Sequence, residues 1–190
     1  MFNKVRNKLE SQRLIEKKGL NYNPYLTLRP ETTFQEIHEF SRRYDFLAIR
    51  DPRPMGTFIH SVPRDKLIST IAQYPDRSGL RIQPSLKAYD DKYLVLQGDI
   101  EIRRFDFTAK ATLNDKPGVS LREATNNPEL LKTYQWDWGY DRDPDVPGLK
   151  QVIDYIFRHE LFDMIVEFTL YSKPVGIKRE ELIIWECRNY

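Results

Sequence analysis

The chain has 190 residues, with 30 Lys+Arg against 28 Asp+Glu, a formal net charge of +2, 40% hydrophobic residues and 13% aromatic residues. That apolar content supports a packed core and excludes wholesale disorder, and no run approaches the roughly 18 apolar residues of a membrane-spanning helix. The lone cysteine, Cys187, excludes an internal disulfide, and with no secretory signal pattern at the N-terminus the expected location is the cytoplasm.

Residues 1–18 hold six Lys or Arg against Glu10 and Glu16, a charge of +4 that leaves −2 for the rest. Phe2, Val5, Leu9, Leu14 and Ile15 recur near helical spacing, and Gly19 is a stop signal. The spacing predicts a basic amphipathic helix over 1–19. It packs on the body with a solvated basic face, or it serves as a docking arm for a protein partner, an anionic lipid surface or nucleic acid. The near-neutral remainder offers no clustered Lys/Arg field, so no nucleic-acid partner is expected for it.

Asn21 to Pro30 reads as a turn-rich link. Thr33 and Glu36 form a capping box that opens a helix with Phe34, Ile37, Phe40 and Tyr44 on one face. Phe46 to Ile49 is a short buried strand running into the Pro/Gly loop 50–56, and Thr57 to Val62 is a second strand. Pro63 suits the first turn of a helix striped by Leu67, Ile68, Ile71 and Ala72. Leu80 to Tyr89 and Tyr93 to Ile102 flank Asp90-Asp91 and predict a hairpin. Phe105, Phe107, Ala109, Ala111 and Leu113 alternate as one strand face. A short helix is expected after Ser120 and another from Pro128 to Tyr134, with an irregular aromatic stretch from Trp136 to Tyr140. Leu149 to Leu161 is a helix with Val152, Ile153, Ile156 and Phe157 inward. Phe162 to Tyr171 and Glu181 to Cys187 are neighbouring strands. The fold class is therefore α+β, with mixed or mostly antiparallel sheets and helices packed on them. Residues 20–190 read as a single α+β domain. If it divides into lobes, the boundary falls near 114–118.

Several chemistries lack their motif. Gly-x-Gly-x-x-Gly, Walker A and Gly-x-Ser-x-Gly patterns are missing. His38, His60, His159 and Cys187 show no zinc spacing. Cys187 sits in an apolar run, where a thiol is inert packing. Asp141, Asp143 and Asp145 have the one-three-five spacing of a calcium loop. Val146 and Val152 occupy the places where glycine and the bidentate glutamate belong, so they read as a solvated acidic loop or a weak cation site.

Glu167 and Glu186 are the carboxylates to watch, because each interrupts an apolar strand-like run and a buried unpaired charge is costly. They face solvent or pair with Arg188 or Lys178, or they form a divalent-metal site across two strands, or they transfer protons.

Taken in order, Phe46 to Arg50, the Pro-Arg-Pro-Met-Gly loop, Thr57 to Val62, the following helix and Leu80 to Pro84 resemble the small lobe of an ATP-grasp domain. The helix from Leu149, then Val166-Glu167-Phe168, then Glu186-Cys187-Arg188-Asn189 resemble the end of its large lobe. The resemblance implies ATP-driven ligation: a carboxylate attacks the γ-phosphate and an amine or other nucleophile attacks the acyl phosphate. It implies that Arg50 contacts nucleotide phosphate and that Glu167 and Glu186 hold Mg²⁺ against ATP. The chain departs from the family pattern in having Arg50 for the usual Lys, one Gly with two Pro in the phosphate loop, and Asn189 three residues after Glu186. On a strand that spacing puts the two side chains on opposite faces. The rival readings are an interaction or adaptor protein working through residues 1–18 and Trp136–Tyr140, and a metal-dependent protein acting on nucleic acid.

Overall fold

A computed structural model describes residues 8–51, 58–85, 91–114 and 127–189. The chain forms two compact units, residues 23–90 and residues 1–22 with 91–190. The 114–118 boundary expected from sequence lies, from residue 115 onward, outside the described residues. So do the expected helix after Ser120 and most of the Pro/Gly loop.

The first unit is a four-stranded antiparallel sheet in the order β1 (Leu26–Thr27), β4 (Arg81–Pro84), β2 (Phe46–Arg50), β3 (Phe58–Pro63). Helices α2 (Phe34–Ser41) and α3 (Leu67–Ile71) supply Ile37, Leu67 and Ile71 to a core shared with Leu47, Ile49, Leu80 and Ile82 of the sheet side. The capping box forms as expected: Glu36 N–H donates to Thr33 Oγ1 at 3.2 Å and Thr33 N–H donates to Glu36 Oε2 at 2.7 Å. Phe34 departs from the expected apolar face, at 57% exposed, because it opens the helix ahead of the turn that packs.

The second unit is a five-stranded antiparallel sheet in the order β7 (Lys132–Asp137), β6 (Thr108–Asn114), β5 (Leu94–Ile102), β8 (Ile165–Val175), β9 (Glu180–Arg188). Strand alternation makes it two-faced. Ile100, Ala111, Val166 and Cys187 form one cross-strand row in a core completed by α1 (Lys8–Lys17) and α4 (Leu149–Arg158). Leu14 and Ile15 of α1 lie in that core, and Cys187 N–H donates to Ser11 Oγ at 2.7 Å. Of the expected apolar stripe, Leu14 and Ile15 are thus occupied and Leu9 is 39% exposed, while Phe2 and Val5 lie outside the described residues.

Five expectations change. Residues 80–89 and 93–102 do not form a hairpin: β4 joins the first unit's sheet beside β1 and β2, and β5 joins the second's beside β6 and β8. Alternation identified both strands but not their partners. Pro128 opens only a 3-10 turn, and 132–137 is strand β7, because Trp136 pairs with Ala109 and buries 93% of its surface. Trp136 and Asp137 are accordingly strand and not irregular. Phe105 and Phe107 lie before β6 and are 82% and 44% exposed, with Phe107 at φ +57°. Phe157 is 38% exposed, although its ring packs edge-on against Trp138 at 5.2 Å and Phe162 at 5.0 Å.

One side chain ties the second unit together. Asn21 is fully buried, and its amide nitrogen donates to the carbonyls of Val175 (3.0 Å), Glu180 (3.2 Å) and Leu182 (2.8 Å). Its amide oxygen accepts from Lys178 N–H at 2.9 Å, and its backbone N–H donates to the Tyr155 hydroxyl at 3.0 Å. Gly176, at φ +74°, leaves the space: a Cβ there would lie 2.5 Å from the Asn21 amide oxygen. Asn21→Ala strands several buried partners at about 1–3 kcal/mol each and is expected to cost about 3 kcal/mol or more. Thr33→Ala, which removes one exposed cap, is expected to cost about 1 kcal/mol. Urea unfolding of both variants checks the contrast.

Candidate functional site

The polar face of the five-stranded sheet carries a row of carboxylates. Asp99 on β5 lies directly opposite Glu167 on β8, and Glu167 lies directly opposite Glu186 on β9. Glu167 and Glu186, both expected from sequence, are therefore neighbours on adjacent strands. Residues directly opposite in an antiparallel pair have Cβ atoms about 5 Å apart, close enough for two carboxylates to share a charge partner.

A bulge puts Glu186 on this face. Glu167 pairs with Glu186 but Phe168 pairs with Ile184, leaving Trp185 as the extra residue. Leu182 and Ile184 enter the unit's core on even numbers and Cys187 on an odd one, whereas Ile183, although buried, is not part of that core. Without the bulge, Glu186 would share the parity of Ile184 and point into the core. Trp185 is held by its indole N–H, which donates to Thr169 Oγ1 at 2.8 Å.

Arg188, two residues beyond Glu186 and so on the same face, reaches into the row. It donates to Asp99 Oδ2 at 2.8 Å and to Glu167 Oε2 at 3.5 Å. Burial opposes its charge, but Asp99, Glu167 and Glu186 together raise its pKa. Asp99 is raised as well. Burial is the main cause and the Glu186 charge adds to it, against the pull of Arg188. Asp99 Oδ1 is buried with no hydrogen-bond partner. Three carboxylates and one guanidinium leave a formal charge of −2 in this row.

Sequence reasoning missed Asp99, although it alternates with Ile100 and Ile102 as a polar-face residue. The missing information was that β5 lies beside β8. Asn189 lies beyond the end of β9 and is not part of the row. Arg50 ends β2 in the first unit, directly opposite Arg81 of β4. Asp141, Asp143 and Asp145 are exposed, and Asp141 accepts the Asp137 N–H at 3.0 Å. Among the described residues no three His, Cys, Asp or Glu side chains enclose an ion position.

The Cys187 thiol is buried, and desolvation, reinforced by Glu186, pushes its pKa up to about 12. At pH 8 only about one molecule in ten thousand then carries a thiolate, the reactive form. The native protein should resist an aromatic disulfide reagent that labels one thiol per chain after denaturation. For Asp99, a raised folded pKa means that the native state holds the proton more tightly than the unfolded chain. Its contribution to stability is therefore lost as pH rises from the ordinary aspartate value of 3.8 through the folded value. Asp99→Asn should gain stability relative to wild type as pH rises from about 4 to 7 in paired urea titrations.

No family model and no curated protein matches the chain. Solved structures do match its fold. D-alanine-D-alanine ligase from Helicobacter pylori aligns with a TM-score of 0.55 at 12% identity, over 96% of this chain and 53% of that one. Carboxyaminoimidazole ribonucleotide synthase from Aspergillus clavatus, complexed with ATP, aligns with a TM-score of 0.53 at 14% identity, over 96% of this chain and 44% of that one. The chain thus spans about half the length of the enzymes it matches. No helix among the described residues is long and apolar enough to cross a membrane. Two antiparallel sheets with their helices, in an order that matches these ligases and synthases across nearly the whole chain, make this an α+β protein with a distant structural resemblance to the ATP-grasp enzymes.

Proposed function

We propose that the chain is an ATP-binding, ligase-like protein that handles nucleotide phosphates with Mg²⁺. The observation that carries this reading is the row of Asp99, Glu167 and Glu186 on the polar face of a sheet in an ATP-grasp-like fold.

The donor set fits the ion. Magnesium takes one or two carboxylates and completes its shell with water and phosphate oxygens, so three converging protein ligands are not required. Glu167 and Glu186 would hold it. The formal −2 of the row matches a divalent cation, and the unpartnered Asp99 Oδ1 is an acceptor that such a cation or its water would satisfy. When bound, the ion would neutralise charge that develops on the transferring phosphoryl group.

The chain's own residues do the positioning. Arg188 clamps Asp99 and Glu167 and keeps the row from spreading by repulsion. The bulge at Trp185 keeps Glu186 beside Glu167. In the other unit, Arg50 is proposed as a contact for nucleotide phosphate.

Isothermal titration and thermal shift with Mg²⁺, Mg-ATP and EDTA test the reading. Ligand at 100 times its dissociation constant is expected to stabilise wild type by about 2.7 kcal/mol. Glu186→Gln keeps the shape and removes the charge, and it should weaken Mg-ATP binding at least tenfold, while Asp154→Asn on the exposed face of α4 should not. Equal binding by wild type and Glu186→Gln, or none by wild type, overturns the proposal and leaves the interaction-protein reading.

A further inference from the structure

The sheet of residues 23–90 carries its own row of like charge. Arg50 and Arg81 are directly opposite on β2 and β4, in a row that continues to Thr27 on β1. Their neighbours Ile49, Leu80 and Ile82 are fully buried in that unit's core, so both arginines leave the sheet on the other face. Like charges directly opposite each other destabilise a strand pair.

Arg81 is also built to receive one. Its guanidinium lies over the Tyr25 ring, 4.6 Å from the centroid. Its Nε is buried without a hydrogen-bond partner, and it forms no ion pair among the described residues. Stacking fixes the plane of the guanidinium while leaving the in-plane edge as the donor surface, and that fork matches two oxygens of a phosphate. The sequence offers Arg81 no carboxylate in its own row.

We propose that Arg81, oriented by Tyr25, is a second phosphate-binding residue beside Arg50, and that the pair takes adjacent phosphates of a polyphosphate anion. This extends the nucleotide reading to residues that reading did not include, and it rests on Arg50 having the role given there. The Arg81 fork replaces one point contact with a planar, two-oxygen one, which favours di- and triphosphates over a single phosphate.

The test titrates the full chain with inorganic pyrophosphate, and separately with Mg-ATP, at near-physiological salt. The proteins compared are wild type, Arg81→Gln and Arg81→Lys. Arg81→Gln relieves the repulsion with Arg50, so its unliganded melting temperature should equal or exceed that of wild type. Its pyrophosphate affinity should fall at least tenfold. Arg81→Lys keeps the charge but loses the fork and the stack, and it should bind several-fold more weakly than wild type. Binding of pyrophosphate by Arg81→Gln within twofold of wild type overturns the proposal. If that happens while Mg-ATP still binds wild type, the nucleotide reading survives without Arg81. If pyrophosphate binds through Arg81 and Mg-ATP does not bind, the phosphate pair stands and the nucleotide reading falls. Binding of neither by wild type overturns both.

Discussion

The register of the β8–β9 hairpin is the constraint on which the polar face depends, and a buried amide holds it. Asn21 reaches the carbonyls on both sides of the connection between the two strands and takes the Lys178 N–H inside it. A hairpin with this connection has no tight two-residue turn to set its pairing. Asn21 supplies a fixed point instead, and Ile184 N–H adds a bond to the Asn21 carbonyl at 2.9 Å. Everything further along the strands, including the pairing of Glu167 with Glu186, is counted from there.

Charge is distributed by unit and by face. The five-stranded sheet gathers carboxylates on its polar side with one guanidinium among them, and the four-stranded sheet sets two arginines directly opposite each other on neighbouring strands. Neither arrangement is the cheapest for folding. Ion pairs in a half-buried setting return little after desolvation, and Asp99 shows the balance: burial raises its pKa although Arg188 lies 2.8 Å away. Rows of this kind are expected where a ligand of opposite charge completes the electrostatics, because functional sites depart from the local rules that the rest of a fold obeys.

Much of this was legible in the residues. The capping box at Thr33 and Glu36 was readable because a cap is a short-range device. The strands around Glu167 and Glu186 were readable because each is a dense apolar run interrupted by one carboxylate. What the chain order hid was non-local. Asp99 joins the row only because β5 sits next to β8, across about seventy residues of sequence. The same blindness made 80–89 and 93–102 look like partners, when Ile82 pairs with Leu26 and Ile49, and Leu96 pairs with Leu170. The stretch 132–137 was misplaced for another reason: Pro128 suggested a helix through Tyr134 and the aromatics from Trp136 an irregular stretch, whereas pairing with β6 and burial of the Trp136 indole make it one strand.

The bulge at Trp185 makes the end of the chain behave like a reading frame. Substitutions between residues 180 and 188 change one side chain each, and the sheet can absorb many of them. Loss of Trp185 is a different kind of event: it removes the extra residue, makes Ile184 and Glu186 consecutive, and leaves Glu186 and Arg188 on one face and Cys187 on the other in the register already present. What would exchange the faces is straightening the strand at its present length, which puts Glu186 on the parity of Ile184 and turns Cys187 outward. The segment should therefore tolerate loss of the bulged residue better than changes that flatten the bulge and keep the count.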